Sequence, residues 1–106
     1  MPEYIQVLTT TDSEEEARQI AGGLVEKRLA ACVQVSGPVT SVYRWKGKIE
    51  TDAEWVCAIK SGEHLADQLE AAIRELHSYE EPEIIVLPIV GGSESYLQWL
   101  GEQIEG

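Results

Sequence analysis

Side chains able to do chemistry are few in this chain, and they gather in two segments. The run His77-Ser78-Tyr79-Glu80-Glu81-Pro82-Glu83 sets an imidazole beside a phenol and three carboxylates. Imidazole is a versatile ligand for copper and zinc and titrates near neutral pH, which makes His77 the leading metal candidate. A histidine at a helix end can also serve the exposed carbonyls, so a structural role stands beside the ligand role. The second segment runs from Ala31 to Ser61. There Cys32 offers a soft ligand for Cu(I), although its neighbours Val33 and Val35 suit a core thiol better, and Cys57, sharing a face with Trp55 and Ile59, suits the core better still. Glu54 and Lys60 share one face of a strand, with Glu54 entering where that face turns apolar, and a charge entering a burying face is usually paired. Glu54 is therefore a further metal candidate and, with His77, Tyr43, Trp45, Lys60, Tyr79 and Glu80, belongs to an expected polar pocket. The plainer reading is a structural ion pair that holds subunits together.

Other candidates are weaker. His64 reads as a solvated residue, and Glu14-Glu15-Glu16 as a helix-capping device, because adjacent helical side chains diverge around the axis. Trp45 over Lys48 suggests a cation-π contact, with interface packing as the alternative. The sequence contains no CxxC, HxH or HExxH spacing, so no preformed structural zinc site is readable. A metal site must be assembled from distant residues or across subunits.

Positioning these residues falls to one domain over residues 1–106, with 43% hydrophobic residues to build one core. The 19 Asp and Glu against 8 Lys and Arg give a net charge of -11, which repels phosphate backbones and anionic lipid and argues against nucleic acid as a partner. The same field attracts divalent ions diffusely. Met1-Pro2-Glu3 runs straight into a strand, and no apolar run approaches the ~18 residues of a membrane span, so a cytoplasmic location without membrane insertion is expected.

Tyr4 to Thr9 reads as a strand apolar on both faces, hence central in a sheet. Asp12 or Ser13 then caps a helix to about Arg28, with Ala17, Ile20, Ala21, Leu24 and Val25 on its buried stripe. Gly22-Gly23 inside it marks either a very close helix contact or local looseness. A hairpin turning at Lys46-Gly47 follows, its return arm alternating well beyond the ~5 to 6 residues of an average strand. Symmetric pairing places Cys32 opposite Ser61 and Cys57 opposite Ser36, roughly 14 Å apart at about 3.4 Å per residue, so both are expected to be free thiols. A bulge at Gly37-Pro38 would shift this register by about a residue. Ser61 is expected to cap a second helix carrying Leu65, Leu69, Ala72, Ile73 and Leu76; Ile84 to Val90 is a strand in which Pro88 marks an edge or the end of ladder pairing; Ser93 caps a last helix.

The order β-α-β-β-α-β-α is an α+β, ferredoxin-like plan with an antiparallel sheet and helices on one face. Arms this long must either lie across the chain's own helices or pair with another copy, and the open sheet face also needs covering. An oligomer follows, with the polar pocket between subunits.

At these residues the chain resembles the CutA family of divalent-cation tolerance proteins. The likeness rests on EKRLAAC at Glu26 to Cys32, on Pro38, Ser41, Tyr43, Trp45 and Gly47 in PVTSVYRWKGKI, on Glu54 and Lys60, and on the loop His77 to Glu83. It implies a homotrimer of ferredoxin-like subunits, PII-like in architecture, with hairpins completing intersubunit sheets. It also implies an association with copper and other divalent cations; no tightly bound cofactor is expected, Cu(II) or another divalent cation being the candidate ligand. Two departures matter. The family's usual His-Pro-Tyr reads His77-Ser78-Tyr79 here, which predicts a less rigid turn, and the metal-linked cysteine that some relatives carry after the first strand is replaced by Thr9-Thr10-Thr11.

Two other function classes compete. A PII-like sensor would hold an organic ligand or nucleotide in the intersubunit cleft; an anionic ligand would need basic groups, for which only Lys60, Arg44 and Lys48 serve. An acylphosphatase-like hydrolase shares the plan but needs a phosphate cradle after the first strand, where this chain places Asp12 and three glutamates. An enzyme is therefore not expected.

Overall fold

The computed structural model describes residues 3–106, and the expectation about the opening Met1-Pro2 lies outside the described residues. Strands β1 (Tyr4–Thr11), β2 (Cys32–Trp45), β3 (Lys48–Gly62) and β4 (Ile85–Ile89) form one antiparallel sheet in the order β2-β3-β1-β4. Helices α1 (Glu14–Glu26) and α2 (Ala66–Leu76) cover one face, and α3 (Glu94–Gln103) closes the chain. This is the ferredoxin-like α+β plan expected from the sequence.

Alternation along β1 sends Ile5, Val7 and Thr9 to the helix-covered face, where they meet Cys57 and Ile59 of β3, Ile20 and Leu24 of α1, and Leu69 and Ile73 of α2. The Thr9 hydroxyl is buried there without a hydrogen-bond partner. Ser13 caps α1, its hydroxyl accepting from Glu16 N–H at 3.1 Å, a contact worth about 1 kcal/mol. The helix ends two residues earlier than expected. Arg28 turns left-handed at φ 60°, Leu29 N–H returns to the Leu24 carbonyl, and Leu29 drops into the core while Val25 stays outside. Gly23 marks close helix contact, since a Cβ there would lie 3.3 Å from Leu76; Gly22 has open space.

Ser61 does not cap α2. It is buried in β3 and donates to the Leu29 carbonyl at 2.6 Å, while Gly62 begins a 3-10 turn over Glu63–Leu65 without any side-chain cap. Continued β pairing with Tyr4 and Ile5 holds Gly62 and Ser61 in the sheet. Pro88 sits in β4, which is an edge strand, as its missing donor requires. That strand spans Ile85–Ile89, slightly shorter than the apolar run.

The hairpin turn has positive φ at both Lys46 and Gly47, 50° and 80°, matching the twist of a two-residue connection. Near the tip the pairing is symmetric, with Trp45 opposite Lys48 and Val39 opposite Glu54. Between Ser36 and Val39 the register slips, so Cys32 faces Lys60 rather than Ser61, and Cys57 faces Val35 rather than Ser36. Both cysteines are free, and alternation places them on opposite faces. Gly37 is required at the slip: a Cβ there would lie 2.7 Å from Trp55 and 2.9 Å from the Glu54 carbonyl oxygen.

This bulge reverses the facing of β2. Val33 and Val35 point to the core, whereas beyond the bulge the odd residues Val39, Ser41, Tyr43 and Trp45 join the opposite, open face. At its base the open face is covered by α3: Gly101 lies against the Tyr4 hydroxyl, and Tyr96 sits beside Cys32 with its phenol pKa raised, chiefly by burial. The centre, with Leu8, Val56, Ala58, Ile85 and Leu87, is only partly covered.

Candidate functional site

The loop after α2 carries the first half of the site. His77 ends that helix in extended conformation, and its Nε2 bonds the Thr10 carbonyl at 2.7 Å while its Nδ1 accepts from Tyr79 N–H at 3.1 Å. A carbonyl can only accept and an amide can only donate, so the pair specifies the Nε2–H tautomer. Both ring nitrogens are engaged. A metal bound by His77 would first have to displace one of these bonds.

Ser78 supplies the loop's second anchor. Its N–H and hydroxyl donate to the two carboxylate oxygens of Glu16, at 2.6 and 3.1 Å. A proline would have no N–H to give, so serine in this position gains a tether where the His-Pro-Tyr form gains a fixed φ. Sequence reasoning saw Glu16 only as a capping residue; a charge already explained by its own helix gave no signal that it reaches 62 residues along the chain.

Held this way, the loop lays Tyr79 over the open face. The His77 and Tyr79 rings lie 4.7 Å apart, and the Tyr79 hydroxyl donates to Glu54 Oε2 at 2.7 Å. Desolvation, then the hydrogen bond and charge of Glu54, push the Tyr79 pKa up, so the phenol remains a donor. Glu54 is only 7% exposed, and among the described residues no cation forms a salt bridge with it. From the hairpin, Tyr43 donates to Asp52, which raises its own pKa to about 12, that hydrogen bond being the largest cause.

These groups line a groove of about 660 Å³. Tyr43 and Trp45 form the hairpin wall, Glu54 and Thr10 the floor, and Tyr79, Glu80, Glu81 and Glu83 the loop wall. Among the described residues, only Glu81 of these carboxylates forms an ion pair, with Arg74 at 3.6 Å. Among the described residues lining the groove there is no Lys, Arg or His.

The structure thus brings Tyr43, Trp45, Glu54, Tyr79 and Glu80 together and places His77 just behind Tyr79. Lys60 lies elsewhere: six residues along β3, roughly 20 Å at about 3.3 Å per residue, it donates to Gln34 at 2.5 Å. An ion pair between Glu54 and Lys60 is therefore excluded within the chain. Cys32 is half-buried beside Tyr96 and far from the groove. Cys57 donates to the Ala17 carbonyl at 3.7 Å, and burial pushes its thiol up to about 11. The cation over the Trp45 ring is Lys46, 5.8 Å from the centroid, rather than Lys48, because the turn swings residue 46 back across the indole. Among the described residues no three His, Cys, Asp or Glu side chains cluster closely enough to hold a metal ion, and no helix is long and apolar enough to cross a membrane.

Fold and groove together define a ferredoxin-like α+β protein with an overlong hairpin and an acidic, aromatic cleft along its outer half. Residues 5–103 match the family described as CutA1 divalent ion tolerance protein. The divalent-cation tolerance protein CutA of Thermus thermophilus is 47% identical over 96 residues, 91% of this chain and 93% of that protein. Human protein CutA is 45% identical over 96 residues, 91% of this chain but 54% of the human protein. The chain thus spans about half the length of the plant and mammalian relatives it matches. Among solved structures, the Thermus thermophilus protein superposes with a TM-score of 0.94 at 44% identity, covering 96% of this chain and 99% of that one. CutA1 from Oryza sativa gives 0.95 at 39% identity, covering 98% and 95%. The chain belongs to the CutA1 divalent ion tolerance family.

Proposed function

We propose that this chain acts in divalent-cation tolerance as a homotrimer that takes copper or another divalent cation at the groove, without catalysis. The observation carrying this reading is Glu54, a carboxylate more than nine-tenths buried beside a groove whose remaining charges are Glu80, Glu81 and Glu83. Burying a carboxylate without a cation is costly, so the site favours a positively charged occupant. Oxygen donors of this kind suit Cu(II) and harder ions better than Cu(I). One chain does not complete such a site, and donors from a second copy would have to join Glu54 and Glu80, with His77 entering only by releasing Thr10 or Tyr79.

Self-assembly is supported by the exposed apolar residues of the hairpin and of edge strand β4, among them Val42, Ile49, Ile85, Val86 and Leu87. We place the protein in the cytoplasm, although rice and Arabidopsis relatives are named chloroplastic and the Archaeoglobus fulgidus one periplasmic. The groove's volume, many times that of a bare ion, favours a second reading in which an organic ligand occupies it.

Calorimetric titration with Cu(II) tests the first reading, alongside a light-scattering mass expected at three times the 11.7 kDa chain. Stoichiometric binding should survive about 1 M salt, where the Debye length is only ~3 Å, and be lost in Glu54→Gln. Binding that fades with salt, or that Glu54→Gln leaves unchanged, would reduce the metal association to diffuse surface attraction.

A further inference from the structure

We propose that the groove binds an aliphatic polyamine, with one ammonium on the Glu54 carboxylate, the methylene chain along Tyr43 and Trp45, and a second ammonium at the Glu80 and Glu83 wall. The inference rests on the reading of this groove as the working site, and names an organic occupant for it. Four observations converge. Glu54 is 7% exposed and lines the groove, yet among the described residues its only side-chain partner is the neutral Tyr79 phenol and no cation pairs with it. The Tyr79 bond engages Oε2 alone. A carboxylate accepts through both oxygens, and a protonated amine supplies several N–H donors together with the positive charge that a neutral ligand would lack.

Aromatic walls give the second observation. Tyr43 and Trp45 are 41% and 44% exposed on the same face as Glu54, offering ring surface to methylenes and to cations alike. That the indole attracts an ammonium is already visible in the chain, where Lys46 Nζ stands 5.8 Å from its centroid. Thirdly, carboxylates come from two separate segments of the lining, the buried Glu54 from β3 and Glu80 and Glu83 from the loop, which matches a ligand carrying more than one charge better than one carrying it at a single point. Finally, a volume of about 660 Å³ fits a flexible organic chain and leaves a single metal ion mostly surrounded by empty space. Nucleotides and other anions are opposed by the same charges, since no Lys, Arg or His lies among the described lining residues.

Spermidine is the probe, titrated calorimetrically into the metal-free full chain at 0.15 M and 0.5 M salt. Saturable binding is expected at one spermidine per chain. Glu54→Gln, which keeps the shape and removes the charge, should weaken it by ~10- to 100-fold, the range for losing one hydrogen bond to a charged group. Trp45→Leu is the second variant, reported with its light-scattering mass, and should also weaken binding while leaving the carboxylates in place. The paired substitution Glu26→Gln and Glu102→Gln, at the C-terminal end of α1 and on α3, removes two charges away from the groove and should leave affinity within about twofold. Equal weakening by this remote pair, or unchanged binding in both Glu54→Gln and Trp45→Leu, would overturn the proposal, because either outcome assigns the attraction to the acidic surface at large. Copper titration of the same preparations separates the two readings. Copper bound at Glu54 with no spermidine binding leaves the metal reading standing and defeats this one; the reverse result defeats the metal reading alone.

Discussion

Between Cys32 and Ser36 the first hairpin arm lies over α1, and its partners Cys57 and Ile59 are fully buried. Between Val39 and Trp45 the same arm runs past the helices, and Val42 and Ile49 stand 65% and 60% exposed. The two halves have the same alternating residue types, joined by one register slip. Alternation therefore selects the residues that share a face, and what lies above that face decides whether they are buried. The inner half is a core strand, and the outer half is a surface waiting for a partner or a ligand.

Substitution in each half is the strongest way to break this contrast. Ile59→Ala removes a fully buried side chain and should cost about 2 to 5 kcal/mol of folding stability in urea, at any protein concentration. Ile49→Ala should produce a loss that grows on dilution, because its contribution comes from association. Equal, concentration-independent losses at both positions would erase the distinction. At the tip, Trp45→Ala should loosen the assembly by about 2 to 4 kcal/mol and make dissociation visible by light scattering, as truncation of an interface anchor does. An unchanged assembly would leave Trp45 to the groove alone.

The smallest effect concerns the thiols. Cys57 is shielded under α1 and held up to about 11 from an ordinary 9.0, whereas Cys32 lies half-buried on the other face. A thiol reagent should therefore modify one cysteine quickly and Cys57 only on unfolding. The folded chain holds the Cys57 proton more tightly than the unfolded chain, so this group's share of stability is intact below pH 9 and fades as pH climbs toward 11. Rapid reaction of both thiols in the native protein would show that the inner half opens readily.

Periodicity and turn residues in the sequence were enough for the element order, the central place of β1, the edge position of β4 and the hairpin turn. These depend on local propensities and on patterns that repeat along one segment. A ribbon symmetric about Lys46-Gly47 also assigns Tyr43, Trp45 and Glu54 to one face near its tip, whereas the approach of Tyr79 and Glu80 to that face comes from a loop that no strand pairing describes. Farther from the turn the pairing shifts by one residue, the amount expected of a bulge at Gly37-Pro38. The bulge at Gly37 is selected by the close approach of Trp55, a contact between residues 18 positions apart.

Side-chain partners were decided only by the tertiary structure. Lys60 pairs with Gln34 rather than Glu54, His77 spends both nitrogens on backbone groups of β1 and the loop, and Glu16 leaves its own helix to hold Ser78. Apart from the local bond between Tyr79 and His77, each of these joins segments whose separation is set by packing of the whole domain. Residue types state what a side chain can donate or accept; the meeting of donor and acceptor depends on distances that no local pattern encodes.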